Sequence, residues 1–290
     1  MKRTILNKTV GVGVLEWKAE ETLSKSLESY KKEKIIKLFD EALIHFQDGN
    51  ENDKTIAKKF GFKASFEKNS GFLGGMVKIF NELKTDYVLF LENDFPLIVS
   101  HNNFKKQLEN SVQLLEENSA DVVRLFSKKN PGDLFSDVEK YLRYYKLQNP
   151  ISHNVEKLQP SMFKRFLYNT VKIKNRRKFI GRAVYVEKNP HKIFPKKISK
   201  VGEFFIVDSS VINWTNRAVL LKRKFFLETL LPYINDNLKK KTTNGFQTPE
   251  NILRKWWQDQ HFKVAVGEGA FTHSRKDNSW RENYPFKKNI

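Results

Sequence analysis

The sequence contains no cysteine. This absence excludes disulfide bonds, thiolate zinc sites and thiol nucleophiles. Any metal must therefore be bound by oxygen ligands and histidine, a donor set that favours hard cations such as Mg²⁺ or Mn²⁺. The sequence also lacks an apolar run near the roughly 18 residues that a membrane-spanning helix needs. Residues 1–14 lack the apolar stretch and cleavage site of a signal peptide, so we expect a soluble, cytoplasmic protein.

Acidic residues are scarce relative to basic ones. The chain has 53 Lys and Arg against 33 Asp and Glu, which gives a formal net charge of +20. Such a surplus attracts nucleic acid, anionic membrane surfaces or phosphorylated small molecules. Hydrophobic residues make up 39% of the 290 positions, and 24 of them are Phe. We therefore expect a folded, basic protein with an anionic partner.

Strand-like and helix-like segments alternate along residues 1–126. The clearest strand, Asp86–Leu91, is apolar throughout its interior. Alternation of this kind predicts a parallel sheet with right-handed crossovers. Residues 127–203 break the rhythm and are rich in Lys and Arg, which indicates a basic insertion, and regular segments return in 204–290.

Acidic side chains follow two of the predicted strands. Glu92 and Asp94 come directly after Asp86–Leu91, and Asp48 follows a short strand at Leu43–Phe46. Ligands of open α/β sheets bind beyond the carboxyl ends of strands. Glu92 and Asp94 could hold a divalent cation and a sugar hydroxyl, or could simply end a strand in a solvated turn. Asp48 could accept hydrogen bonds from a nucleobase, or belong to an ordinary turn.

Three further features have both a functional and a structural explanation. Asn69-Ser70-Gly71 begins a predicted helix, where backbone N–H groups can approach a phosphate or merely allow close helix–sheet packing. Glu250 opens a helix after Pro249, where a carboxylate compensates the helix dipole or serves as a general base. His273 follows the last predicted strand and could return to a metal, although a lone histidine is usually a surface residue.

Taken in order, these motifs resemble the nucleotide-sugar glycosyltransferases of the GT-A fold, especially the family 2 type. The resemblance covers about 1–126 and 204–275. The first strand and helix of that family are similar to Val12–Lys18 with Leu23 and Leu27. Its Asp-Gly-Ser-x-Asp turn is similar to residues 48–53, and its Asn-x-Gly helix start is similar to residues 69–71. Its Asp-x-Asp motif is similar to residues 92–94. Its late acidic pair with histidine is similar to Glu250-Asn251 through His273.

The resemblance implies a single α/β domain over 1–290 with a Rossmann-like, mixed, mostly parallel sheet flanked by helices. Residues 1–126 would bind the nucleotide sugar, 127–203 would be the basic insertion, and 204–290 would complete the metal and acceptor sites. The implied activity is a metal-dependent, inverting transfer of sugar, with Mn²⁺ or Mg²⁺. The donor would be UDP- or GDP-linked, and the acceptor a hydroxyl of a glycan or phosphorylated molecule.

The resemblance also implies roles for individual residues. Glu16 and Asp48 would contact the base and ribose, Asn69 and Gly71 the donor, and Glu92 the ribose or the metal's water shell. Asp94 and His273 would bind the metal, which predicts that the two residues meet. Glu250 would be the base, but Asn251 replaces the usual second carboxylate, so Asp236 and Asp259 remain alternatives. Residues 235–248 are a candidate lid.

Other functions stay open on the sequence alone. A pI near 9.8 with aromatic residues among Lys and Arg is compatible with nucleic-acid binding, which we do not favour. A nucleotidyltransferase would need an N-terminal glycine-rich phosphate loop, which the sequence lacks. An inactive glycan-binding relative would explain why Asn251 replaces the usual second carboxylate beside Glu250. The insertion could bind an acceptor, contact an anionic membrane or be a solvated face. Phe163, Phe166, Leu167 and Val171 fit an interfacial helix, but we expect that helix to face the core.

Overall fold

A nine-stranded sheet forms the centre of the molecule. The computed structural model of the chain describes residues 5–130, 136–151, 160–171, 173–239 and 245–274. In chain order the strands are β1 Val10–Trp17, β2 Glu41–Gln47, β3 Lys63–Glu67, β4 Tyr87–Glu92, β5 Val122–Phe126, β6 Ile198–Val201, β7 Phe204–Asp208, β8 Val219–Lys222 and β9 Lys263–Phe271. Their order across the sheet is β3-β2-β1-β4-β8-β5-β9-β7-β6.

Helices cover the sheet. In chain order they are α1 Glu20–Lys32, α2 Glu51–Lys59, α3 Gly71–Glu82, α4 His101–Glu116, α5 Ser136–Leu142, α6 Met162–Val171, α7 Pro190–Ile193, α8 Arg223–Phe225, α9 Leu231–Asp236 and α10 Pro249–Asp259. A π-helical turn, Phe226–Leu230, joins α8 to α9, and 3₁₀ turns lie at Ile35–Leu38, Ile173–Tyr185 and Ser209–Val211. None of the helices within the described residues is long and apolar enough to cross a membrane.

The sheet is mixed, which confirms the predicted α/β class. Parallel pairing dominates only in the first half, where β3, β2, β1 and β4 run in one direction. β8 runs antiparallel between β4 and β5, and β7 runs antiparallel between β6 and β9. Four of the eight pairings are therefore parallel, fewer than the sequence predicted. The turn that joins β6 to β7 is too short for a parallel crossover, so that pair must be antiparallel.

Seven strands end at the same edge of the sheet. Because β8 is antiparallel to both β4 and β5, those two strands are parallel to each other, and β9 is parallel to β5. β6 is also parallel to β9, because β7 is antiparallel to both. The carboxyl ends of β1 to β6 and β9 therefore lie along one side, here named the carboxyl edge. The reversed strands β7 and β8 begin at that edge, so the loops that precede them also arrive there.

Helix α6 departs from the sequence-based expectation. Phe163 and Phe166 are 71% and 65% exposed, so the prediction that this helix faces the core is wrong. The reason is that a different side of the helix packs on the protein, where the ring of Tyr168 makes an edge contact with Tyr144 at 5.7 Å between centroids. The apolar side of α6 is thereby turned to solvent.

Candidate active site at the carboxyl edge

Asp94 and His273 meet at the end of β4. Asp94 is 1% exposed, and its Oδ2 lies 3.1 Å from Nε2 of His273. The backbone around Asp94 is fixed, since the hydroxyl of Tyr30 donates to the carbonyl of Phe95 at 2.6 Å. The predicted position of His273, beside the acidic motif at the end of β4, is confirmed.

The end of β9 carries His273 to this place. The amide of Thr272 donates to the carbonyl of Pro96 at 3.1 Å, and the amide of Ser274 donates to the carbonyl of Asp94 at 2.9 Å. The two bonds flank His273 and hold its backbone against the segment that carries Asp94. The imidazole also lies beside the ring of Phe95, with 5.4 Å between centroids. The histidine is therefore positioned by backbone pairing as well as by its side chain.

The Asp94–His273 pair fits a hard divalent cation. Two ligands about 2.1 Å from an octahedral ion, and at right angles to each other, are about 3.0 Å apart. The separation of 3.1 Å between Oδ2 and Nε2 matches this value. Within the residues that the structure describes, no group of three or more His, Asp and Glu side chains could hold a metal. The pair therefore offers a partial ligand set, in which other positions suit the oxygens of a bound ligand or water.

A second polar cluster lies at the ends of β1 and β2. Asp48 accepts hydrogen bonds from the backbone amide of Asn69 at 3.0 Å and from the indole of Trp17 at 3.3 Å. The bond from Asn69, helped by the one from Trp17, lowers the pKa of Asp48, so this exposed carboxylate is ionised. The side chain of Asn69 in turn accepts from the amide of Gly71 at 2.8 Å. Three residues predicted to bind the donor are thus joined, with Trp17 as an additional member.

Glu16 lies behind this cluster and is 3% exposed. Its Oε1 accepts a hydrogen bond from the amide of Ala19 at 2.6 Å, which holds the turn between β1 and α1. Burial raises the pKa of Glu16 to about 7, because a carboxylate loses its hydration there. Glu92, half-buried, pairs with Leu15 in the register of β4 and β1. Because Glu92 shares the face of Leu15, it lies on the opposite face of the sheet from Glu16, the next residue along β1.

Glu250 occupies the first turn of α10 and is exposed. Its Oε1 accepts a hydrogen bond from the amide of Asn216 at 3.2 Å, in the loop before β8. The next residue in that loop, Arg217, places its guanidinium 5.4 Å from the centroid of the Phe126 ring. Phe126 in turn contacts Phe95 at 6.1 Å between ring centroids. A continuous series of contacts thus connects Glu250 with the Asp94–His273 pair.

The two alternative bases lie in different places. Asp259 is the last residue of α10, nine positions after Glu250. At 1.5 Å rise per residue the two ends of this helix are about 15 Å apart, and Asp259 lies where β9 begins, opposite the carboxyl edge. Asp236 is exposed at the end of α9. Of the two alternatives, Asp259 is thus on the wrong side of the sheet.

The structure has a distant similarity to solved structures of sugar-transferring enzymes. The mannosyltransferase PcManGT from Pyrobaculum calidifontis, in complex with GDP-Man and Mn²⁺, is 11% identical with a TM-score of 0.35, over 41% of this chain and 36% of that one. S. aureus TarS 1–349 in complex with UDP-GlcNAc is 11% identical with a TM-score of 0.47, over 93% and 59%. Glucosyl-3-phosphoglycerate synthase from Mycobacterium tuberculosis, with phosphoglyceric acid, is 17% identical with a TM-score of 0.34, over 41% and 44%.

The similarity is confined to structure. The chain spans less than two thirds of the length of each of these three proteins. No protein-family model matches the sequence, and no curated protein matches it. The function of this chain must therefore be inferred from its own residues.

A lysine-lined cleft opens at the carboxyl edge, where it is lined by residues of β6 and β9 and by the segment that follows β5. Its volume is about 480 Å³. The ammonium of Lys128, two residues beyond the end of β5, lies 4.8 Å from the centroid of the Phe205 ring, and burial lowers its pKa. The other cationic side chains that line the cleft are Lys106, Lys129, Lys188 and Lys200. The ion pairs Lys106–Glu203 and Lys129–Glu268, at 2.7 and 3.0 Å, offset part of this charge.

Sequence reasoning missed Arg217, Trp17 and Phe246. Arg217 lies in a segment without a recognisable motif. Trp17 lies within the 12–18 motif, but the resemblance assigned it no role. Phe246 packs so closely on Gly71, at the start of α3, that a Cβ on that glycine would overlap it. This contact joins one end of the predicted lid 235–248 to the donor cluster. Residues 240–244 of the lid lie outside the described part of the chain.

Proposed function

We propose that this protein is a metal-dependent glycosyltransferase that moves a sugar from a UDP- or GDP-linked donor to a hydroxyl group of a glycan. The observation that carries the proposal is the contact between Asp94 and His273, 3.1 Å apart at the carboxyl edge. Residues 179 positions apart in sequence supply the mixed oxygen and nitrogen donor set that suits Mn²⁺ or Mg²⁺. We also propose that the chain forms one domain with three parts, residues 1–126, 127–203 and 204–290.

The nucleotide would bind at the Asp48 cluster. Asp48 is an ionised acceptor for base or ribose donors, and Trp17, 39% exposed, offers an aromatic face for the base. The start of α3 at Asn69 and Gly71 would contact the donor through backbone groups. Glu92 would bind the ribose. Glu16, beneath the cluster, would support it by holding the turn that carries Trp17.

The diphosphate would lie between the Asp48 cluster and Asp94. Asp94 and His273 would hold the cation, which when bound neutralises negative charge on the diphosphate. Arg217, fixed over the ring of Phe126, is placed to add a permanent positive charge near the departing group. Such preorganised charges stabilise a transition state more than the ground state.

Glu250 would act as the general base. The carboxylate takes the proton of the acceptor hydroxyl as that oxygen bonds to the anomeric carbon. The bond between the anomeric carbon and the phosphate oxygen breaks, and its electron pair leaves with the nucleoside diphosphate. Attack on the face opposite the leaving group inverts the anomeric configuration. The hydrogen bond from Asn216 to Glu250 orients the carboxylate for this step.

The lysine-lined cleft would bind the acceptor. It begins at Lys128, close in sequence to Phe126, whose ring lies beside Phe95 at the site. A surplus of lysines suits an acceptor that carries phosphate or carboxylate groups. We therefore propose a phosphorylated or acidic glycan as the acceptor. A cytoplasmic location stays a prediction from the sequence.

Thermal unfolding with a panel of nucleotide sugars, with and without Mn²⁺, tests the proposal. We expect one UDP- or GDP-sugar with Mn²⁺ to raise the melting temperature of the native protein, because a ligand that binds only the folded state stabilises it. His273→Ala should abolish the Mn²⁺-dependent part of the shift. His261→Ala is a matched control, since His261 lies 3.0 Å from Asp208 at the opposite edge of the sheet, and it should keep the shift.

Other results would point to other functions. A ligand-induced shift that is the same in His273→Ala as in the native protein would remove the metal from the mechanism. Stabilisation by a nucleotide sugar without release of nucleoside diphosphate on any acceptor would identify a binding protein. Release of pyrophosphate from a nucleoside triphosphate would identify a nucleotidyltransferase. Binding of nucleic acid with indifference to sugar nucleotides would favour the nucleic-acid alternative.

A further inference from the structure

Helix α6 exposes four large apolar side chains on one side. Met162, Phe163, Phe166 and Leu167 are 86%, 71%, 65% and 44% exposed. At about 100° per residue these positions fall within an arc of about 140°. Contiguous exposed apolar groups of this size mark interaction sites on soluble domains. The feature is therefore a continuous surface, here named the α6 face and defined by these four residues.

The orientation of the α6 face is fixed by contacts on the other side of the helix. The side-chain amide of Asn169 donates to the backbone carbonyl of Tyr144 at 3.3 Å. The ring of Tyr168 makes an edge contact with Tyr144, and the guanidinium of Arg143 lies 5.5 Å from the same Tyr168 ring. The helix is thus attached by its polar and tyrosine side. Its apolar side points away from the protein.

The surroundings of the α6 face are strongly basic. Residues 160–186 include eight Lys and Arg and no Asp or Glu. Lys164, Arg177 and Lys178 are exposed. The side chain of Arg176 is also basic but lies 4.9 Å from the ring of Tyr145. A partner that covers the α6 face must therefore be apolar at its centre and negatively charged around it.

We propose that the α6 face binds the surface of an anionic lipid bilayer. An apolar helix face bordered by cations is the arrangement that lies in the plane of a membrane interface, with the apolar side chains among the upper acyl chains and the cations near lipid phosphates. With ten residues, α6 is too short to span a bilayer, so it would lie on the surface.

Co-sedimentation of the full chain with vesicles tests this proposal. Vesicles of phosphatidylcholine mixed with phosphatidylglycerol should bind the protein, and vesicles of phosphatidylcholine alone should bind at least about tenfold more weakly, since each exposed cation near an anionic surface contributes about fivefold. Replacement of Phe163 and Phe166 by Ser should weaken binding to the mixed vesicles by about tenfold or more. Arg177→Gln with Lys178→Gln should weaken it by at least fivefold.

The controls separate a lost surface from a lost fold. Leu238→Ser removes another exposed apolar side chain, 55% exposed and outside α6, and should leave binding unchanged. The melting temperature of the Phe163→Ser, Phe166→Ser variant should match the native value, because both rings are already exposed. Equal binding of native and variant protein to mixed vesicles would overturn the proposal. A concentration-dependent dimer in light scattering that this variant loses would also overturn it, and would assign the α6 face to a second copy of the chain.

Discussion

Glu16 shows how a single buried carboxyl group changes the pH dependence of stability. Its pKa is raised from 4.5 to about 7 in the folded chain, mainly because burial removes water from the carboxylate. Between these two values the unfolded chain has released a proton that the folded chain retains. Folding stability that is present below about pH 4.5 is therefore lost as the pH rises through about 7.

Glu16→Gln should remove this loss. Glutamine keeps an oxygen that can accept the bond from Ala19 and carries no charge. We expect the variant to gain stability over the native protein between about pH 4.5 and 7, by on the order of 1–3 kcal/mol at neutral pH. Urea unfolding of both proteins from pH 4 to 8 measures the difference. A difference that stays constant over this range would mean that Glu16 does not titrate in it.

The positions of Asp94 and His273 were predictable, and those of the residues around them were not. Asp94 follows a strongly apolar strand and His273 follows the last strand, so both are expected at strand ends from sequence alone. Arg217 depends on the reversed direction of β8, which no local pattern reveals. The burial of Glu16 was also unforeseen, because its neighbours Trp17 and Lys18 are exposed.

Among the secondary-structure elements, β9 determines whether the site forms. The strand carries an irregularity opposite β5 between Arg124 and Phe126. Gly269, within it, has φ of +81° and lies against the backbone of Phe126, whose carbonyl oxygen a Cβ would overlap. Only glycine fits this position, for reasons of conformation and of space. The bend redirects β9 so that His273 arrives at Asp94.

Gly269→Ala should therefore damage both stability and metal binding. We expect a loss of more than the about 1–3 kcal/mol that a strained backbone conformation costs, because of the added overlap. Gly202→Ala is the matched control, since Gly202 has φ of +55° with nothing within 4 Å of its Cβ position. Chemical unfolding should give a much lower free energy of unfolding for Gly269→Ala than for Gly202→Ala. Titration with Mn²⁺ should show weakened binding in Gly269→Ala alone. Equal losses in both variants would mean that the close approach to Phe126 is unimportant.

The predictability of each element follows from its burial pattern. β3 occupies Lys63–Glu67 as predicted, and α3 and α10 begin at the predicted Gly71 and Pro249. β6 was missed because it is a four-residue edge strand with three exposed positions. The sequence predicts the last strand at 262–266, and β9 extends five residues beyond that end, since its glycines interrupt the alternation that identifies a strand.

The whole molecule carries a net charge of +20, which favours anionic ligands and opposes compactness. Many of the described ion pairs are exposed, such as Lys59–Glu28 and Lys105–Glu109, and pairs of this kind contribute little. Mutual repulsion of the surplus cations is therefore the larger electrostatic effect on folding. Salt should weaken this repulsion, because the Debye length falls from about 30 Å at 0.01 M to about 10 Å at 0.1 M.

The melting temperature should accordingly rise with ionic strength. We expect an increase of about 2 °C between about 0.02 and 0.3 M NaCl, which corresponds to roughly 1 kcal/mol for a chain of this size. Differential scanning fluorimetry in sodium chloride, compared with sodium sulfate at equal ionic strength, distinguishes screening from anion binding. A melting temperature that falls with NaCl would show that attractive ion pairs outweigh the repulsion.

The position of β8 has a consequence for how the chain folds as it is synthesised. β4 and β5 are made early, but neither touches the other, because β8, at Val219–Lys222, fills the space between them. Until the ribosome has passed Lys222, these two buried strands have open edges in the middle of the nascent protein, where they can pair with other chains. The sheet is thus completed from its flanks inward, and a chaperone that shields these edges should raise the yield of native protein.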